Sequence, residues 1–146
     1  MPPAFRITIG ADLGDVARVG AEFAGFAEAN GVPEKVRRGM AVALDELVTN
    51  TITYGFGKRG TRERGTGEVT VEAELREGQL SVTLTDDGSA FDPWGHTTPD
   101  TTGSLDMRRI GGLGIHLVKQ MMDEVGYRRA ADRNIVTLTK RIEDES

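Results

Sequence analysis

The sequence predicts an α+β sandwich, with helices packed on one face of a mixed, mostly antiparallel β-sheet. Two observations lead there. Five short stretches alternate apolar and polar residues, the period of strands with one buried face, while three longer stretches repeat apolar residues every three to four positions. After the first strand-like stretch, the others come in hairpin pairs with a helical stretch between the pairs.

Phe5, Ile7 and Ile9 alternate with Arg6 and Thr8, which makes the first strand. Val16, Val19, Phe23 and Phe26 follow at helical spacing, and Asn30-Gly31 stops that helix. Pro33 opens a second helix, where its missing N–H costs nothing; the helix runs to about Tyr54 and ends at Gly55 and Gly57. Residues 57–67 form a glycine-rich, basic loop. Val69 to Leu75 and Leu80 to Leu84 alternate around a Glu77-Gly78 turn, a hairpin. From Asp87 to Gly111 no period holds, and a polar loop of that length inside a domain is usually functional or disordered. Leu117, Val118 and Met121 mark a short third helix from Gly114 to Met122. Val125 with Tyr127, then Ile135 to Ile142, make the last two strands.

At 146 residues the chain reads as one domain, residues 1–146, long enough to bury a core. A net charge of −5 argues against nucleic acid, whose binding rests on a basic face. The absence of cysteine excludes disulfides and zinc–thiolate sites. No apolar run is long enough to span a membrane, and the start MPPAFRITIG lacks the pattern of a signal peptide. The expectation is a cytoplasmic protein.

Three elements carry the candidate chemistry. Gly111-Gly112-Leu113-Gly114 opens the third helix, where unpaired backbone N–H groups can face phosphate. The structural alternative is a helix start that needs a permissive backbone. Asp86-Asp87-Gly88 ends an apolar strand. It is either a common Asp-Gly turn or an aspartate that accepts from an exocyclic amine, with Gly88 letting the base approach. On the second helix, Met40, Leu44, Leu47, Val48, Thr51 and Ile52 form the buried stripe. Glu46 and Asn50 lie beside it, about 40° apart at 100° per residue, with Asp45 on the opposite margin. The bland alternative is a solvated Glu–Asn pair. Arg108 and Arg109 are solvated charges or reach a terminal phosphate. His96 and His116 have no visible partner and are read as non-catalytic, and Trp94 as a loop anchor.

Together these residues carry a resemblance. Glu46-Leu-Val-Thr-Asn50 is similar to the N box of the GHKL ATPases (gyrase, histidine kinases, MutL), Asp86-Asp-Gly88 to the G1 box and Gly112-Leu-Gly114 to the G2 box. The phrases ALDELVTNTITYGF, DDGSAFDP, GGLGIHLVKQMMDEVGYRR and NIVTLTK resemble the anti-sigma factor serine-protein kinases over about residues 5 to 141. Ala90, Thr51 and Tyr54 depart from the usual glycine, alanine and histidine of those boxes.

The resemblance implies a Bergerat-type ATP-binding fold with residues 92–111, roughly, as ATP lid. It implies Glu46 as general base, Asn50 as Mg²⁺ ligand and Asp86 with Gly88 at the adenine. It further implies phosphate-binding N–H groups around Gly112, Leu113 and Gly114, with Arg109 at a phosphate and Asn134 near the adenine. The implied activity is ATP-dependent phosphorylation of an anti-anti-sigma protein on serine, with a sigma factor sequestered by the same chain. The sequence shows no phosphoacceptor histidine domain and no transducer domain, so the target is expected in trans. The alternatives are a non-catalytic ATP-binding regulatory module and a switch-type kinase acting on another scaffold protein; an intact Glu46 favours a kinase. A homodimer is expected because the sandwich leaves one sheet face uncovered, where an apolar patch would mark an interface.

Overall fold

The computed structural model describes residues 2–56, 67–97 and 113–142. In chain order these hold β1 (Ala4–Gly10), α1 (Val16–Ala29), α2 (Glu34–Asn50), β2 (Glu68–Arg76), β3 (Gln79–Asp86), α3 (Leu113–Met121), β4 (Glu124–Ala130) and β5 (Arg133–Arg141). The element order expected from periodicity is the observed one. The strands form one sheet in the order β1-β2-β3-β5-β4. Every neighbouring pair is antiparallel, so among the described residues the sheet is not mixed. Parallel neighbours need a single crossover connection, whereas two helices separate β1 from β2 and hairpin turns join β2 to β3 and β4 to β5.

Strand alternation decides the two faces. Ile7, Ile9, Val69, Val71, Val82, Leu84, Val136 and Leu138 are buried on one face. Against them pack Val19 and Phe23 of α1, Met40, Leu44, Leu47 and Val48 of α2, and Val118 of α3. Edge strand β1 is fastened to α1 through Phe5, whose ring lies 5.5 Å from Phe26 and 6.1 Å from Phe23. The opposite face carries Thr8, Thr70, Glu72, Ser81, Thr83, Thr137 and Thr139, none of them fully buried. The apolar patch expected there is therefore absent among the described residues. Threonine satisfies the β-branched preference of strands while keeping that face wettable.

Local signals set the ends of elements. The Asn30 side-chain amide donates to the Phe26 carbonyl at 2.8 Å and closes α1, and Gly31 follows at φ +74°. The β2–β3 turn places Glu77 and Gly78 at φ 53° and 75°. The β4–β5 turn does the same with Ala131 and Asp132, at 52° and 62°, without a glycine to announce it. The expected long second helix is two conformations. Regular α turns stop at Asn50, and a π-helical segment runs from Thr51 to Phe56. It brings the Gly55 carbonyl to the Ser89 N–H at 3.2 Å, a bond to the loop after β3.

Candidate nucleotide site

The candidate residues of the described chain fall into two contact groups, one between the start of α3 and α2, the other between the ends of β3 and β5 and the π-helical end of α2. At the α3 end, a β-carbon on Gly114 would stand 2.6 Å from Cδ of Glu46 and 2.7 and 2.8 Å from its carboxylate oxygens. The Glu46 carboxylate thus occupies the space that a side chain at Gly114 would enter. Glu46 is half-buried, and burial pushes its carboxyl up. The hydrogen bond from Asn50 pulls it down, and the charge of exposed Asp45 adds a smaller push upward.

One turn along α2, the buried Asn50 donates from Nδ2 to Glu46 Oε2 at 3.2 Å. That bond turns Oδ1 of the amide the other way, and Oδ1 has no hydrogen-bond partner among the described residues. A neutral hard oxygen beside a carboxylate suits Mg²⁺, which takes one or two protein oxygens and completes its shell with water and phosphate. Among the described residues no cluster of three acidic, histidine or cysteine side chains offers a cage of its own.

At the other end, Asp86 closes β3 and is 3% exposed. Its Oδ1 accepts from the Gly88 N–H and from Asn134 Nδ2, both at 2.9 Å. Oδ2 accepts no bond among the described residues and is not sealed from solvent. Burial pushes the Asp86 carboxyl up. Donation from Asn134 and then Gly88 pulls it down, with the neighbouring Asp87 raising it and Arg129 lowering it. Gly88 has a packing reason to be glycine. A β-carbon there would meet the Gly55 carbonyl at 2.9 Å and the Phe56 ring at 3.0 Å.

Asn134 is 1% exposed and stands directly across the ladder from Asp86. Its amide is taken up by protein groups on both ends. Tyr127 and Arg129, which supply two of those contacts, are not among the site residues that the sequence suggests. They are ordinary strand residues, and only the β4–β5 register brings them to Asn134.

The remaining expectations divide. Leu113 begins α3, so the backbone after the glycine turn is helical as expected. Arg109 and Gly112 lie outside the described residues, as does most of the expected lid, residues 98–111. Trp94 is a loop anchor, its indole N–H donating to the Gly126 carbonyl at 2.8 Å. An Asp92 turn that accepts from the backbone N–H of Trp94 and Gly95 sets it there. His116 is exposed, and its Nε2 lies 3.4 Å from the side-chain amide nitrogen of Gln120.

Comparison with known proteins places the fold in a family. The histidine kinase-like ATPase domain pattern matches residues 9–140. The serine-protein kinase RsbW of Listeria monocytogenes serovar 1/2a is 33% identical over 107 residues, 69% of this chain and 64% of that kinase. The serine-protein kinase RsbW of Staphylococcus aureus is 28% identical over 110 residues, 71% of this chain and 65% of its own length. The match thus spans a little under two thirds of these curated relatives. The crystal structure of the RsbU and RsbW domains of Rv1364c from Mycobacterium tuberculosis shares the fold, with a TM-score of 0.67 at 18% identity. It covers 99% of this chain and 34% of that one. The domain-pattern match runs over nearly the whole of the described sheet and helical layer, and the chain belongs to the histidine kinase-like ATPase domain family.

Proposed function

We propose that this chain is an ATP-dependent protein serine kinase and anti-sigma regulator that phosphorylates an anti-anti-sigma partner and sequesters a sigma factor. The observation that carries the proposal is the half-buried Glu46 carboxylate, held by Asn50 and lying against Gly114 at the start of α3. A base belongs beside the phosphate cradle, and a pure nucleotide binder has no need of one there. Similarity to the RsbW serine-protein kinases supports the substrate class.

In this reading Asp86 Oδ2 accepts from the adenine amino group, and Gly88 lies beside the base. The backbone N–H groups of Gly112, Leu113 and Gly114 receive the phosphates, helped by the α3 dipole and Arg109. Asn50 Oδ1 holds Mg²⁺, which when bound neutralises phosphate charge. Glu46 takes the proton from the partner's serine hydroxyl as its oxygen attacks the γ-phosphorus, and ADP leaves. The upward push on Glu46 from burial brings its basicity closer to that of a working base.

The reading treats residues 1–146 as one kinase domain with a lid near residues 92–111, working in the cytoplasm. Among the described residues no helix is long and apolar enough to cross a membrane. A homodimer belongs to the same proposal, carried by the family resemblance and not by the uncovered sheet face, which is polar.

The test is transfer of the ATP γ-phosphate to small proteins that co-purify with the chain. Glu46→Gln keeps nucleotide binding and lowers transfer about 10²–10⁴-fold, the usual contribution of a general base. Transfer at the wild-type rate would make Glu46 a solvated helix residue.

A further inference from the structure

Three inward-facing positions lie at one level of the sheet: Asp86 on β3, Asn134 on β5 and Arg129 on β4. They are paired as Asp86 with Asn134 and Asn134 with Arg129. A buried amide therefore stands between a carboxylate and a guanidinium. Its Nδ2 spends both hydrogens, on Asp86 Oδ1 at 2.9 Å and on the Ser89 carbonyl at 2.8 Å. Its Oδ1 accepts from the Tyr127 hydroxyl at 2.7 Å, Arg129 Nη1 at 3.0 Å and the Phe91 N–H at 3.2 Å. An amide has two donors and room for about two strong acceptor contacts, so nothing is left over for a ligand. The surroundings also fix which end points where. Rotated by half a turn, the amide would set its hydrogens against two groups that can only donate, the Arg129 guanidinium and the Phe91 N–H, and its oxygen against two acceptors.

We propose that Asn134, held by Tyr127 and Arg129, is a positioning residue that makes the site selective for the 6-amino group of adenine. It does so by locking Asp86 with Oδ1 turned to protein and Oδ2 turned to the ligand, without touching the nucleotide itself. The proposal rests on the nucleotide reading above. An aspartate carboxyl rotates easily about its last bond. Two donors on one oxygen, Asn134 Nδ2 and the Gly88 N–H, remove that freedom. Arg129 Nη1 also donates to the Gly88 carbonyl at 3.0 Å, so the same guanidinium holds the amide and the turn that supplies the second donor. Without Asn134 the carboxyl is held by one donor, and a directional contact to a single amino group is lost while the phosphate contacts stay.

Calorimetric titration with ADP and with purine riboside diphosphate, which lacks the 6-amino group, separates this role from a general loss of structure. The wild type prefers ADP roughly tenfold or more, the value of a charge-assisted hydrogen bond. In Asn134→Ala the preference falls to within about twofold while both ligands still bind through their phosphates. An Asn134→Ala protein that melts cooperatively and keeps the wild-type preference overturns the proposal. If that variant does not melt cooperatively, the pair Tyr127→Phe with Arg129→Met replaces it, since Arg129 is exposed and Tyr127 only half-buried. The pair leaves the amide one donor and lowers the preference at least about threefold; an unchanged preference again overturns the proposal. A wild type that binds both ligands equally defeats this inference alone and leaves a nucleotide site standing. A wild type that binds neither defeats the nucleotide reading and this inference with it.

Discussion

Asp86 is the residue at which stability and function pull apart. Its Oδ1 is fully engaged and its Oδ2 turned outward, so an asparagine fits the same place with its oxygen toward Gly88 and Asn134 and its NH₂ toward the ligand side. Burial holds the carboxyl above the usual carboxylate range, with Asp87 adding to the push and Asn134, Gly88 and Arg129 opposing it. Because the folded value is raised, Asp86 favours the fold below its unfolded pKa, and that contribution is lost as pH rises through the folded value. Nucleotide binding has the opposite sign. Oδ1 already accepts two N–H donors, so the proton of the neutral acid falls on Oδ2. An O–H there faces the amino group as a second donor, and binding weakens as pH falls through the same value. Asp86→Asn is therefore expected to melt no lower than the wild type at pH 7 while binding ADP at least about tenfold more weakly. Thermal melts paired with titrations check both halves. A lower midpoint with unchanged affinity would move the base elsewhere.

At the scale of elements, two glycines make opposite predictions. The atoms nearest a methyl on Gly114 are the far end of the flexible Glu46 side chain, which swings aside, so Gly114→Ala leaves the thermal midpoint unchanged or higher. The displaced base then costs activity, by about 10²-fold if it moves an ångström. A methyl on Gly88 meets the Gly55 carbonyl and the Phe56 ring, neither of which can yield cheaply, so Gly88→Ala destabilises by about 1–3 kcal/mol. Denaturant melts beside phosphotransfer assays distinguish them, and equal loss of stability in both would refute the Glu46–Gly114 contact. The sequence reads well where periodicity or a local motif carries the information. Glu46 and Asn50 were legible from their place beside the α2 stripe, and Asp86 from its strand-ending turn. The π-helical end of α2 was not, because Thr51 to Phe56 keep an ordinary helical pattern, and it is docking of the loop at Ser89 that uses the freed Gly55 carbonyl. The Ala131-Asp132 turn was hidden for want of a glycine. Tyr127 and Arg129 were hidden because only strand register makes them neighbours of Asn134.

At the scale of the whole molecule, the described residues form a one-sided sandwich, and the proposed site lies where helices meet strand ends. The sandwich's other side is a threonine-rich sheet face. The proposed homodimer is expected as a two-fold species in sedimentation at micromolar concentrations; a monomer throughout, with and without nucleotide, would remove the dimer and leave the nucleotide site intact. The central claim is that this site binds an adenine nucleotide with Mg²⁺, and calorimetric titration of the chain with ADP, with and without Mg²⁺, tests it most directly. A saturable heat that Mg²⁺ strengthens, accompanied by a raised thermal midpoint, is the predicted result. No heat and no thermal shift at millimolar ligand would contradict it.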